Sequence, residues 1–326
     1  MDTILLTGGL GYIGSKFVEK YQNNYKFLIL DTGYFSKERV NSENIKFVDI
    51  RNLKRVYLEK IDIVVHMGEL SNDPLGNLDS GLTNEINHLA TIELLELANK
   101  SSVRKFIYMS SASVYGFSDT IVDENSDVNP LTEYAKAKFN NEKYIIDNEF
   151  NFQTIILRNS TAFGFSANLR LDLVVNDLTY SGVFNKKIEL FSDGTPKRPI
   201  VHISDISSFI DILIRDKRNL DKEIFNVGDK DMNFSIREIA ETVGKVLGVD
   251  NLIFGEPDKD QRSYFLNFDK TRNFFPDFEI EFDLVRGVED LYENLKGYQL
   301  NGNEKRLSKI NKLIETDKLD KNLYWL

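Results

Sequence analysis

The sequence predicts a doubly wound parallel α/β sheet joined to a smaller mixed α/β part, and three observations predict it. Short apolar runs alternate with helical periodicities through the first half of the chain. Some of those runs, Ile61-Asp62-Ile63-Val64-Val65-His66 above all, are nearly continuous, as in strands buried on both faces. The first run, Ile4-Leu5-Leu6, feeds into the glycine-rich turn Thr7-Gly8-Gly9-Leu10-Gly11-Tyr12-Ile13-Gly14, where a helix over Tyr12 to Lys20 begins.

That turn is the most informative stretch. Glycine permits positive φ and leaves no Cβ between backbone and ligand. The helix beyond it aims free N–H groups and a positive dipole end at the same place, which suits a pyrophosphate. The second strand, Phe27-Leu28-Ile29-Leu30, ends in Asp31, where a dinucleotide fingerprint requires an acid. A carboxylate there binds both adenosine-ribose hydroxyls and repels a 2′-phosphate. Read literally, Gly9-x-Gly11-x-x-Gly14 is the fingerprint, and with Asp31 it reads as a Rossmann-type site for NAD rather than NADP. A third strand over residues 45–50 ends in Asp49 and Ile50. Asp49 either accepts from the adenine amino group, with Ile50 packed on the ring, or caps a helix near Leu53.

The fourth strand, Ile61 to His66, runs into Met67-Gly68-Glu69-Leu70-Ser71-Asn72-Asp73-Pro74, at the sheet edge where open α/β folds bind ligands. A helix over Thr83 to Lys100 follows, then a strand from Val103 to Met109 ending in Ser110-Ser111-Ala112-Ser113-Val114-Tyr115-Gly116. Thr132 is placed to cap a helix that carries Tyr134 and Lys138 on one face. Thr154 to Arg158 is the next strand. From about Phe165 the alternation loosens: short strands at Ile188 to Phe191 and Pro199 to Ile203, helices over Ser204 to Leu213, Ile236 to Leu247 and Leu284 to Leu295, a strand at Ile224 to Val227, and a charged amphipathic helix from Glu304 to Ile314. The expected division is an NAD-binding part over 1–165, to which 200–228 returns, and a mainly substrate-binding part over 166–326.

Composition removes several classes of function. The chain has 326 residues, a net charge of −10 and no cysteine. No basic stripe is available to displace counterions, so nucleic acid is not an expected partner. Disulfides, thiolate metal sites and thiol nucleophiles are excluded. The histidines, His66, His88 and His202, are far apart in sequence, so no metal site is expected. No apolar run approaches the ~18 residues of a membrane span. The first strand follows Met1 directly, without room for a signal peptide, so a cytoplasmic protein is expected. No Gly-x-Ser-x-Gly elbow of a hydrolase occurs.

Ser111 to Ser113, the Tyr134-x-x-x-Lys138 pair and the glycine turn all fall at the carboxyl edge of the predicted sheet. A tyrosine with a pKa near 10 is a poor base at neutral pH, but nearby cations stabilise its phenolate. Lys138 and an oxidised nicotinamide supply two. A serine hydroxyl would hold the substrate oxygen while Tyr134 takes its proton.

With these pieces the chain resembles the extended short-chain dehydrogenases/reductases that act on nucleotide-diphosphate sugars. The resemblance spans nearly the whole sequence: Thr7-Gly8-Gly9-x-Gly11-x-x-Gly14, Asp31, Asp49-Ile50, Ser110 to Gly116, Tyr134-x-x-x-Lys138, Asp193-Gly194-x-x-x-Arg198 and Arg262. It implies Ser111, Tyr134 and Lys138 as catalytic residues, and Ser113 as a second hydroxyl. It also implies Met67, Gly68 and Glu69 beside the cofactor, Arg198 and Arg262 clamping the sugar diphosphate, and Asn176 on a phosphate. Ser71, Asn72, Thr161 and Arg170 complete the expected substrate contacts. A homodimer through the helices near Thr83 and Thr132 is implied too. Dehydratases and decarboxylases of this kind place an acid where this chain has Ala112 and Ser113, and the fucose-type epimerase-reductases use a cysteine. What remains is redox chemistry at C4. 4-Epimerisation is the first expectation, with a net 4-dehydrogenase or 4-ketoreductase of a hexose or heptose as the alternative. The segment Arg170 to Asp177 resembles a subgroup with nucleotide-heptose dehydrogenases, and a non-catalytic sensor is a further alternative. One departure stands out: Gly68-Glu69 replaces the usual pair of alanines. A carboxylate there would favour NAD⁺ over NADH, bind a ribose hydroxyl, or point away.

Overall fold

The computed structural model describes residues 1–36, 42–257 and 263–326. Its strands, in chain order, are β1 (Thr3–Thr7), β2 (Lys26–Asp31), β3 (Ile45–Phe47), β4 (Ile63–His66), β5 (Lys105–Ser111), β6 (Phe117–Val122), β7 (Gln153–Asn159), β8 (Thr161–Phe163), β9 (Ile188–Ser192), β10 (Lys197–His202), β11 (Glu223–Val227), β12 (Asn233–Ser235), β13 (Leu252–Glu256) and β14 (Ser263–Leu266). Seven of them form one parallel sheet in the order β11-β7-β5-β4-β1-β2-β3. The strand order reverses between β1 and β4, and a crevice opens there at the carboxyl ends.

Period-2 alternation sorts the sheet's side chains into two apolar layers. Leu5, Val64, Phe106, Tyr108 and Ile156 face the layer holding Leu94 and Leu95 of the helix Ala90–Asn99. Ile4, Leu6, Val65, Ile107 and Leu157 face the other, against Phe17 of the helix Tyr12–Tyr21 and Phe209 of the helix Ile203–Arg215. Both faces are therefore covered, which is why these strands read as continuous apolar runs.

A third apolar cluster lies outside the sheet, built on the helices Val174–Asn185, Ile236–Leu247 and Leu284–Leu295. It carries two small sheets, β12-β10-β8 and β13-β9, while a third, β14-β6, packs Val122, Tyr264 and Leu266 in a separate cluster with Val114 and Tyr115. β6 lies in a polar stretch with no apolar run, and it forms because β14 returns to pair with it. The helix Arg306–Glu315 does not join this third cluster. Its Ile310 and Leu313, with Leu319 and Leu323 beyond, pack into the first layer of the central sheet. Among the described residues no helix is long and apolar enough to cross a membrane.

Candidate active site

The site begins at the turn after β1. Gly8 has φ +68°, and a Cβ there would lie 2.7 Å from the Met67 carbonyl oxygen. Gly14 packs so closely on the turn that a Cβ would meet the Gly9 Cα at 2.7 Å. The turn is thus pressed against the loop after β4 and against its own helix, with no space for side chains. Asp31 stays beside it: Oδ2 accepts from the Leu10 N–H at 3.1 Å and Oδ1 from the Gly33 N–H at 2.8 Å.

A relay of hydrogen bonds fastens the loop after β4. The Met67 and Gly68 N–H groups both donate to Thr7 Oγ1 at 3.2 Å. Thr7 Oγ1 is 2.6 Å from His66 Nδ1, and His66 Nε2 is 2.8 Å from Thr91 Oγ1, which itself donates to the Asn87 carbonyl. Followed from that carbonyl, Thr91 Oγ1 must accept from the ring, so the proton is on Nε2 and Nδ1 accepts from Thr7. Burial pushes the His66 pKa down to about 3, with the Lys138 charge adding to it, so the ring is neutral. Asn87 then holds Leu70 by both backbone groups, at 2.8 and 3.0 Å. Asn87 sits in a wide helical turn, Asn84–Leu89, that precedes the helix Ala90–Asn99.

The third component is the pair of elements bearing Ser111, Tyr134 and Lys138. Ser111 ends β5, and its Oγ accepts from the Ser113 N–H, capping the short turn Ala112–Tyr115. Underneath, a buried network fixes this strand end. Glu142 accepts from Arg158 at 2.7 Å and from Ser110 Oγ at 2.5 Å, and Arg158 also donates to the Tyr115 hydroxyl at 2.9 Å. Thr132 caps the helix Glu133–Asp147 by accepting from the Ala135 N–H, as its position predicts. The Tyr134 hydroxyl faces Ser111, and Lys138 Nζ lies 5.6 Å from the Tyr134 ring centroid. Burial raises the Tyr134 pKa above its ordinary value, Lys138 lowers it, and Glu69 raises it. Lys138 Nζ donates to the Met109 carbonyl and pairs with Glu69 Oε2 at 2.8 Å.

These parts share one cleft of about 510 Å³. Gly8, Gly11, Tyr12, Ile13, Gly14, Asp31, Asp49, Ile50 and Met67 to Glu69 line it around the glycine turn and the strand ends beside it. Ser111, Ser113, Tyr134 and Lys138 line it too, as do Ser71, Asn72, Thr161, Arg170 and Arg198. Asp49 takes up the capping alternative: its carboxylate accepts from the Arg51 N–H and pairs with the Arg51 guanidinium at 2.6 Å, opening the turn Ile50–Asn52 beside the cleft. Arg170 is held by Asp172 through two contacts, at 2.8 and 3.1 Å. The expectation for Asn176 is corrected. Its side chain is buried, with Oδ1 accepting from the Gly164 N–H and Nδ2 donating to the Tyr12 hydroxyl and the Arg170 carbonyl, so it braces the wall and reaches no phosphate. Arg262 lies outside the described residues.

Sequence reading missed Arg306. It lines the same cleft from the far end of the chain, donating to the Asn303 and Asn168 carbonyls at 2.5 and 2.9 Å and stacking on Phe35. Burial first, and then the charge of Arg170, push its pKa down to about 9. No local motif announces such a residue, because apart from Asn303 its partner Asn168 lies 138 positions away.

The cradle fits a dinucleotide on its own terms: a backbone turn that excludes Cβ atoms, a helix N-terminus behind it, and an acid at the end of β2. Ser111, Tyr134 and Lys138 line the same cleft as that cradle. The class so defined is an NAD-dependent enzyme of the short-chain dehydrogenase/reductase type. A model of the NAD dependent epimerase/dehydratase family matches residues 4–228, and the chain belongs to that family. It is similar to a putative UDP-glucose 4-epimerase of Methanocaldococcus jannaschii, 27% identical over 90% of this chain and 98% of that one. It is also similar to the human dTDP-D-glucose 4,6-dehydratase, 29% identical over 73% and 72% of the two chains. The solved UDP-glucuronic acid 4-epimerase of Bacillus cereus, in complex with UDP-glucuronic acid and NAD, superposes with a TM-score of 0.79 at 25% identity, covering 90% of this chain and 99% of that one.

Proposed function

We propose that this enzyme interconverts nucleotide-diphosphate sugars differing at C4, as an NAD-dependent 4-epimerase. One observation carries the reading. Ser111, Tyr134 and Lys138 meet in the cleft that the glycine turn opens, at a strand end where Ala112 and Ser113 offer no acid to eliminate water. The likeness to two proteins described as 4-epimerases supports it. The missing acid sets the chain apart from the dehydratase chemistry named for the human relative.

In this reading Ser111 holds the C4 oxygen and Tyr134 takes, then returns, its proton. Lys138 steadies the phenolate and reaches toward the nicotinamide ribose. Bound NAD supplies the acceptor and donor of hydride at C4. Gly8, Gly11 and Gly14 seat its diphosphate, Asp31 the adenosine ribose, and Ile50 the adenine. Arg198 and Arg262 hold the sugar diphosphate, with Ser71, Asn72, Ser113, Thr161 and Arg170 around the sugar. Residues 1–165 with 200–228 form the cofactor part, and most of 166–326 the substrate part. The protein works in the cytoplasm as a homodimer through the helices Ala90–Asn99 and Glu133–Asp147; exposed Leu89 and Ile146, beside and on them, favour that surface. A net 4-dehydrogenase or 4-ketoreductase is the second reading, favoured by the segment Arg170 to Asp177, whose Arg170 and Asp172 line the cleft.

Proton NMR of the protein with NAD⁺ and UDP-, GDP-, dTDP- and CDP-sugars tests these readings, with NADH absorbance followed in parallel. A C4 epimer without net NADH is expected. A keto-sugar accumulating with NADH would replace the epimerase by the dehydrogenase.

A further inference from the structure

Glu69 is an acid that neither the glycine cradle nor the Ser-Tyr-Lys set requires. Its side chain is only 2% exposed. Oε2 lies 2.8 Å from Lys138 Nζ, and Oε1 lies 3.6 Å from His66 Nε2. The charged and titratable groups facing this pair and Tyr134 are Glu142 from the helix Glu133–Asp147 that carries Lys138 and Tyr134, Tyr108 from β5, His66 from β4, His88 from the turn Asn84–Leu89, Asp73 from the short helix Asp73–Gly76, and Arg170, itself paired with Asp172. His66 cannot answer the carboxylate with charge, because both ring nitrogens are engaged by threonines and the ring is neutral. Lys138 is therefore its counterion, and a carboxylate and an ammonium in contact leave little net charge behind.

That changes what Lys138 does for its neighbour. A lone buried ammonium beside a phenol stabilises the phenolate; one already paired with a carboxylate does so far less. An ammonium also has only three donors. One of them goes to the Met109 carbonyl, and the same nitrogen is ion-paired with Glu69 Oε2 at 2.8 Å, so less of the ammonium is free to serve the cleft.

We propose that Glu69 is a positioning residue: its carboxylate holds and neutralises Lys138, so that Tyr134 stays protonated until the positive charge of an oxidised nicotinamide enters the cleft. The proposal rests on the reading of Tyr134 as the base. It makes the state of Tyr134 follow the oxidation state of the cofactor. With oxidised cofactor the phenolate is favoured and can take a proton. With reduced cofactor the second charge is absent, and Tyr134 is a phenol that can return a proton to a ketone oxygen. Proton and hydride are then both available for the return step, and both withdrawn before the forward one.

The test needs no substrate. Protein carrying tyrosine labelled with carbon-13 at Cζ is titrated by NMR, cofactor-free and saturated with NAD⁺, and the Tyr134 signal is assigned by its loss in Tyr134→Phe. In Glu69→Gln the cofactor-free Tyr134 midpoint is expected to fall by about one pH unit or more, and the gap between the cofactor-free and NAD⁺-bound midpoints to shrink. Glu69→Asp keeps the charge but withdraws it by one methylene, and is expected to show a smaller fall of the same sign. This serves if Glu69→Gln does not fold. An unmoved midpoint in the folded variants overturns the proposal. Turnover separates this failure from that of the parent reading: Tyr134→Phe retaining turnover removes the base itself, whereas loss of turnover with an unmoved midpoint removes only the role of Glu69.

Discussion

The two sides of the cleft are built on different principles. Around the glycine turn the lining is largely backbone, and the turn itself is one short local stretch. Gly8 to Gly14 form one turn, and Asp31 bonds Leu10 and Gly33 directly. Around Arg170 the lining is side chains, and some of them are held across long stretches of sequence. Arg170 leans on Ser71 across 99 positions, and Asn72 reaches Asp172 across 100. The difference teaches where the chemistry is fixed and where it can vary: a backbone cradle accepts one kind of ligand, whereas side chains on irregular loops can be exchanged singly.

The comparison can be broken at its common point. Tyr134→Phe is expected to reduce turnover by about 10²–10⁴-fold, the usual contribution of a positioned base, while NAD⁺ binding measured by calorimetry persists. Loss of binding together with turnover would mean that the two sides are not separable. Next in size is the buried pair beneath Ser111. Arg158→Met leaves Glu142 buried without its cation, and is expected to lower unfolding stability in urea by about 3–5 kcal/mol. A loss below ~1 kcal/mol would show that this strand end does not need its ionic support.

Two smaller effects sharpen the contrast. Arg306→Met takes from the cleft a cation supplied by the far end of the chain, and is expected to weaken NAD⁺ about tenfold, as the loss of a charge-assisted contact of ~1.5 kcal/mol would. Unchanged affinity would leave the cofactor side purely local. His66 tests the relay behind the cradle. Its pKa is about 3 in the fold and near 6.5 when unfolded, so in that window the unfolded chain binds more protons. Stability should therefore fall as pH drops below about 6.5, and His66→Asn should flatten that slope. Equal slopes in the two proteins would mean that the ring is not held neutral.

How far the sequence could be read follows the same division. The helices Ile236–Leu247 and Leu284–Leu295 were legible to the residue, because their apolar stripes and the acid or serine caps are local signals. β1, β2 and β4, and the cap at Thr132, were legible for the same reason. β6 was not, since only its pairing with β14, some 140 positions on, makes it a strand. Asn176 pointed to a phosphate by resemblance, but the Tyr12 hydroxyl and Gly164 claim it. Glu69 was visible as a departure from the family pattern. That it meets Lys138 was not, because the 69-residue separation carries no periodicity.

The last stretch of the chain has a consequence for the order of assembly. Asn303 bonds the Phe35 carbonyl, Tyr34 the Leu323 carbonyl, Arg51 the Asn322 carbonyl, and Trp325 the Thr32 carbonyl, all beside the end of β2. Domains generally fold as units as the chain emerges from the ribosome, N-terminal part first. Here the part whose fingerprint is written in the first 31 residues cannot be finished until residue 325 has been made. The nascent cofactor half therefore waits, with an apolar layer open where Ile310, Leu313, Leu319 and Leu323 will sit, and that interval is when a chaperone has something to hold.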